Sequence, residues 1–132
     1  MLTDRLGAAL EAVRHVIDSF EATQLTGEEA AGLVDSFAEL ERLANAGRTL
    51  AGRRAEQAGI WEKMGYRTPA QWMAVRAQST LGAAIATLET GRRLEELPAT
   101  REALRLGTLS AQQAQEIASA AAMDPASESA LL

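Results

Sequence analysis

Thr68-Pro69-Ala70-Gln71-Trp72-Met73-Ala74-Val75-Arg76-Ala77-Gln78-Ser79-Thr80 is the stretch that decides the fold. Thr68 offers a hydroxyl to the first free amides of a helix. Pro69 stands at the first helical position, where its missing N–H costs nothing, and Gln71 can reach back to close a capping box. A short helix therefore runs from Pro69 to about Ala77, with Trp72 and Val75 facing inward. Gln78-Ser79 interrupts it, and Thr80 caps a longer helix that continues to about Glu96 and is stopped by Pro98. Ala84, Ile85, Leu88 and Leu94 form the apolar side of that longer helix. Two helices joined by so short a turn have the layout of a helix-turn-helix, whose second helix can present its first side chains to the DNA major groove.

Working outward, Thr26-Gly27-Glu28-Glu29 is a second capping box. It opens a helix that meets no proline before Pro69 and runs to about Ala58, with Gly59 as its left-handed stop. Upstream, Leu2, Leu6, Ala9, Leu10, Val13, Val16, Ile17 and Phe20 recur at helical spacing and predict an amphipathic helix over Thr3 to Glu21 that packs on the long one. Ile60 to Arg67 lacks such a stripe and reads as an ordered connector plugged into the core by Trp61 and Tyr66. Downstream, Thr100 caps a turn or two ending at Gly107. Ser110-Ala111-Gln112-Gln113 opens a last helix to about Met123, and Asp124 to Leu132 is expected to fray. The expectation is an all-α fold of five to six helices, in which a long central helix pairs with the N-terminal one and supports a helix-turn-helix-like bundle. The corresponding domains are residues 1–59 as a helical hairpin, 60–123 as the bundle and 124–132 as a tail.

Composition agrees with that class: Ala, Leu, Glu and Arg are the commonest residues, and aromatic residues are only 4% of the chain, which favours helix and disfavours strand. With no cysteine, disulfides, thiolate metal sites and cysteine nucleophiles are excluded, and a reducing cytoplasm is the expected compartment. Charges interrupt every apolar stretch, so no membrane span or signal peptide is expected. His15 is the only histidine. A paired-histidine nuclease centre cannot be built from one chain, and the adjacent acids Glu28-Glu29 and Glu95-Glu96 diverge on a helix and lack metal-ligand spacing. The chain is therefore expected to be no enzyme, with no metal and no cofactor.

The net charge of −5 is unevenly spread. Residues 1–41 carry nine acids against two arginines, whereas residues 42–67 carry six cations against two acids. The candidates for contact with nucleic acid are Arg42, Arg48, Arg53, Arg54, Lys63 and Arg67, followed by Arg76, Arg92 and Arg93 in the helix-turn-helix region. Leu81 to Thr87 offers no cation and little that could read a base edge. Any binding to duplex DNA is thus expected to be weak, sequence-tolerant and steeply salt-dependent. The alternative is an interaction module without DNA binding, forming a homodimer through the long helix, where Leu33, Phe37, Leu40 and Leu50 flank the small residues Ala44, Gly47 and Ala51.

Several pieces of the chain between about Leu40 and Ala121 resemble the domain of unknown function 222, or 13E12 repeat, family. They are Gly59-Ile60-Trp61; Thr68-Pro69-Ala70-Gln71-Trp72-Met73-Ala74; Leu94-Glu95-Glu96-Leu97-Pro98-Ala99-Thr100; and the run from Ala103 through Gly107-Thr108-Leu109-Ser110 to Ala114. The last two also resemble the run that follows the helix-turn-helix of partition-type centromere-binding proteins. The resemblance implies a helical module that accompanies an HNH nuclease and helps to target it to DNA. The family tends to have a turn glycine where this chain has Gln78, and an arginine-rich start to the helix that here begins at Leu81.

Overall fold

The computed structural model describes residues 1–132, apart from the side chain of Pro125. It is 82% helix, with no strand among the described residues. The α-helices are α1 (Leu2–Ser19), α2 (Gly27–Gln57), α3 (Ile60–Lys63), α4 (Pro69–Ala77), α5 (Leu81–Arg93), α6 (Pro98–Arg105), α7 (Ala111–Met123) and α8 (Glu128–Leu131). Eight helices replace the expected five to six because the connector after Gly59 and the chain end each wind into a single turn. The chain divides into two compact units, Met1–Phe37 and Ala38–Leu132. The division falls inside α2 rather than after Gly59, because the second half of α2 buries Ala46, Thr49 and Gly52 in the bundle.

In the first unit, Thr26 and Glu29 cap α2 reciprocally: the Glu29 N–H donates to Thr26 Oγ1 at 3.1 Å and the Thr26 N–H to Glu29 Oε1 at 3.0 Å. The backbone hydrogen bond from Thr26 holds the Glu29 carboxyl below its ordinary range. The expected packing of the first helix is not seen. No residue of α1 is buried, and Leu6, Leu10 and Ile17 remain 64%, 49% and 54% exposed.

In the second unit, local signals place the helices. The Gln71 N–H donates to Thr68 Oγ1 and the Ala83 N–H to Thr80 Oγ1, each at 3.1 Å. Ser110 and Gln113 form the complete reciprocal box at the start of α7. Gly59 ends α2 at φ 67, a left-handed conformation that costs a glycine nothing. Helices α4 and α5 pack through Ala70, Met73, Ala84 and Leu88. A second cluster joins Ala46 of α2 to Leu94, Leu104 and Ala114, and a third joins Leu97 to Ala118 and Ala121. So many buried alanines bring helix backbones close together. At Gly91 an added Cβ would lie 3.1 Å from the Thr49 carbonyl oxygen and 3.2 Å from Arg53 Cβ, so α2 and α5 nearly touch there.

Four local expectations are corrected. Val75 and Ile85 are exposed, because Met73 and Ala84 occupy the buried faces of α4 and α5. Trp61 and Tyr66 are half-buried. Thr100 does not cap a helix: α6 begins at Pro98, and Thr100 is fully buried in its first turn, where its hydroxyl has no hydrogen-bond partner. The chain end is helical rather than frayed. Glu128 is buried, and its Oε1 accepts the Ala99 N–H at 2.9 Å, which supplies at the start of α6 the acceptor that Leu97 lacks.

Candidate nucleic-acid and interaction surfaces

The nine candidate cations separate by what each already holds. Glu56 is only 12% exposed; its carboxylate accepts Arg53 Nη1 at 2.9 Å and Arg92 Nη2 at 2.7 Å. Arg53 also donates through Nε to Glu95 at 2.6 Å. Burial pushes the Glu56 carboxyl up, but the hydrogen bonds from Arg92 and Arg53 outweigh it and hold the group below its ordinary range. Glu95 is lowered by its hydrogen bond from Arg53. The two guanidinium groups are raised in turn, Arg53 chiefly by Glu95 and Arg92 chiefly by Glu56. Arg53 and Arg92 are therefore neutralised inside the chain.

Arg42 and Arg93 are held by neutral acceptors. Arg42 donates through Nε to the Gly107 carbonyl at 2.6 Å, and Arg93 through Nη1 to Ser119 Oγ at 2.8 Å. Arg76 lies over the Trp72 ring, 5.6 Å from its centroid, and approaches Met64 Sδ at 3.2 Å. Among the described residues, Arg48, Arg54, Lys63, Arg67 and Arg76 have no carboxylate within salt-bridge distance. These five, together with Arg42 and Arg93, whose partners carry no charge, can still meet a phosphate.

Helices α4 and α5 pack on one another across a short turn. Gln78 closes α4 in the left-handed conformation, φ 52 and ψ 43, where a residue with a Cβ is strained. The start of α5 exposes Leu81, Gly82, Ala83 and Ile85. Base edges are read by hydrogen-bond donors and acceptors, and none of these four side chains carries one.

The dimer candidates also separate. In the first unit Leu33 and Phe37 are half-buried. In the second, Leu50 packs against the cluster of Ala46, Leu94, Leu104 and Ala114, so its apolar surface is engaged within the chain. Leu40, Ala44, Gly47 and Ala51 are exposed, and nothing lies within 4 Å of a Cβ built on Gly47. The sequence pattern passed over the α1 stripe as an interaction surface, because a stripe at helical spacing ordinarily marks a core face. It also passed over Asn45 of α2, which is buried and shares a recess with the start of α7.

His15 is exposed on α1. Among the described residues no group of three or more His, Cys, Asp or Glu side chains is placed to hold a metal ion, and no helix is long and apolar enough to cross a membrane. Fold and surfaces together define an all-helical chain with unburied apolar helix faces and seven candidate cations that hold no carboxylate. Compared with protein families, with curated proteins and with solved structures, the chain finds no match.

Proposed function

We propose that this chain acts by binding rather than by catalysis, and that α1 pairs with a second copy of itself. The observation that carries this reading is the eighteen-residue α1, amphipathic along its length and with no residue buried. Leu6, Leu10, Val13, Ile17 and Phe20 follow one another at alternating steps of four and three, the spacing of a seam that packs against another helix. A second copy supplies an identical seam. Helix α1 itself holds three acids against two arginines, so charge repulsion between two copies is small.

Replacing Leu10 and Ile17 together by Glu tests it. Both are about half exposed, so folding is expected to be unaffected. Burying the exposed halves contributes about 1 kcal/mol per side chain, hence about 4 kcal/mol for a pair of chains, or roughly a thousandfold in dissociation constant. Sedimentation equilibrium should show a concentration-dependent dimer for the natural sequence and a monomer of unchanged helicity for the double variant. A natural protein that stays monomeric at hundreds of micromolar, or a double variant that still dimerises, overturns the reading.

A second reading is weak, sequence-tolerant association with duplex DNA, supported by the residue-level likeness to the nuclease-associated helical family. The observation favouring it is the set of seven candidate cations without carboxylate partners, carried by a unit that contains a helix-turn-helix-like pair.

A further inference from the structure

Beside Gly107, α2 and the N-terminal end of α7 border an open recess of about 420 Å³, lined by Glu41, Arg42, Asn45, Arg48, Ser110 and Ala111. Asn45 is 8% exposed. Its carboxamide makes no hydrogen bond among the described residues and stays in reach of solvent. Asn45 lines the recess. At the same place the Ser110 hydroxyl accepts the Gln113 N–H, which leaves the Ala111 and Gln112 N–H groups at the positive end of a thirteen-residue helix without acceptors. Arg48 has no carboxylate partner, and Arg42 is anchored through Nε to Gly107, with its terminal nitrogens making no recorded bond.

We infer that this recess binds a phosphate group. Two arginines oppose one glutamate, so the lining is net positive. The donors come from a carboxamide, a helix terminus and two guanidinium groups, four sources on two elements. A tetrahedral oxyanion has an oxygen for each, whereas a planar carboxylate has two. The volume exceeds that of the free ion and leaves room for the substituent of a small phosphomonoester. The site lies wholly in the second unit and does not depend on the pairing proposed for α1, so each can fail without the other.

The test is amide NMR of the intact chain, titrated with inorganic phosphate and, at matched ionic strength, with acetate. Phosphate should produce saturable shifts at the Ala111 and Gln112 amides and the Asn45 side chain, and acetate should not. Arg48→Gln should weaken binding by about tenfold, the consequence of losing one charged hydrogen-bond partner, and Asn45→Leu should weaken it further. Arg48 is exposed, so its variant remains informative if Asn45→Leu fails to fold. Glycerol phosphate that binds more tightly than phosphate identifies a phosphomonoester site, equal binding identifies a free-phosphate site, and both uphold the inference. Absence of saturable shifts, equal response to acetate, or unchanged affinity in Arg48→Gln overturns it.

Discussion

Replacing Glu56 by Gln should destabilise the second unit by about 1–2 kcal/mol at neutral pH. Glu56 is 12% exposed and accepts from two guanidinium groups, whereas Arg53 and Arg92 are 24% and 46% exposed. Removing one member of a fully buried ion pair costs about 3–5 kcal/mol, and an exposed pair contributes about 0–1. The nearly buried acceptor raises the expected cost above the exposed case. The partly exposed arginines lower it, because water can resolvate them and Arg53 keeps Glu95. Glutamine retains a carbonyl acceptor, so the cost stays below that of a full deletion. Urea denaturation followed by far-UV circular dichroism should show a lower midpoint with an unchanged slope.

The same substitution has a signature in pH. The folded-state carboxyls of Glu56 and Glu95 are lowered. Their stabilisation is therefore fully present above the ordinary carboxylate range and is lost as pH falls through that range to the lower folded values. Glu56→Gln should flatten this acid limb, leaving a smaller decline from Glu95. A neutral-pH midpoint equal to that of the natural protein, or an acid limb of unchanged steepness, would refute the claim that Glu56 joins α2 to α5.

Three further outcomes are expected. Gln78→Gly should stabilise by about 0.5–1 kcal/mol in urea titration, because relief of left-handed strain of about 1–2 kcal/mol exceeds the added entropy of an unfolded glycine; a loss of stability would mean that the Gln78 side chain contributes an interaction of its own. Leu88→Ala should cost about 2–5 kcal/mol, since Leu88 is 1% exposed in the α4–α5 cluster, and a cost below 1 kcal/mol would show that the corner collapses around the gap. If the chain binds duplex DNA through the candidate cations, the logarithm of affinity should fall against the logarithm of salt with a slope of no more than about seven units, because Arg53 and Arg92 already hold carboxylates and the other seven do not. Arg54→Gln with Lys63→Gln should shallow that slope, while Arg53→Gln leaves it unchanged.

What was legible in the sequence was what short-range chemistry decides. The boxes at Thr26 and Ser110 and the caps at Thr68 and Thr80 place four helix starts correctly, since each satisfies its own amides within three residues; at Thr68 the box itself does not close, because Gln71 Oε1 accepts the Arg67 N–H instead. The start of α6 was missed because its acceptor, Glu128, lies twenty-nine residues from Ala99. The inward placement of Val75 and Ile85 failed for a related reason: small alanines at 70 and 84 settle which face packs, and a stripe of large residues does not reveal that. In the candidate site, the basic stretch was visible but its commitments were not. Arg92 finds Glu56 across thirty-six residues and Arg53 finds Glu95 across forty-two. Asn45 gave no signal, since its burial arises only from tertiary packing.

The ion cluster and the close helix crossing are one feature. Gly91 lets α5 approach the Thr49 carbonyl of α2, and one residue further along, Arg92 meets Glu56 two turns on from Thr49. Any side chain at 91 would push the helices apart and lengthen that bridge. A charge pattern that resembles a nucleic-acid footprint thus belongs in part to the fold: Arg53 and Arg92 close the seam between α2 and α5. The cations available to a partner are those the fold does not use. Arg54 follows Arg53 on the same helix, yet the rotation of about 100° between neighbours directs one guanidinium to the seam and leaves the other exposed. Adjacent residues of the same charge therefore divide between holding the bundle together and offering it to a ligand.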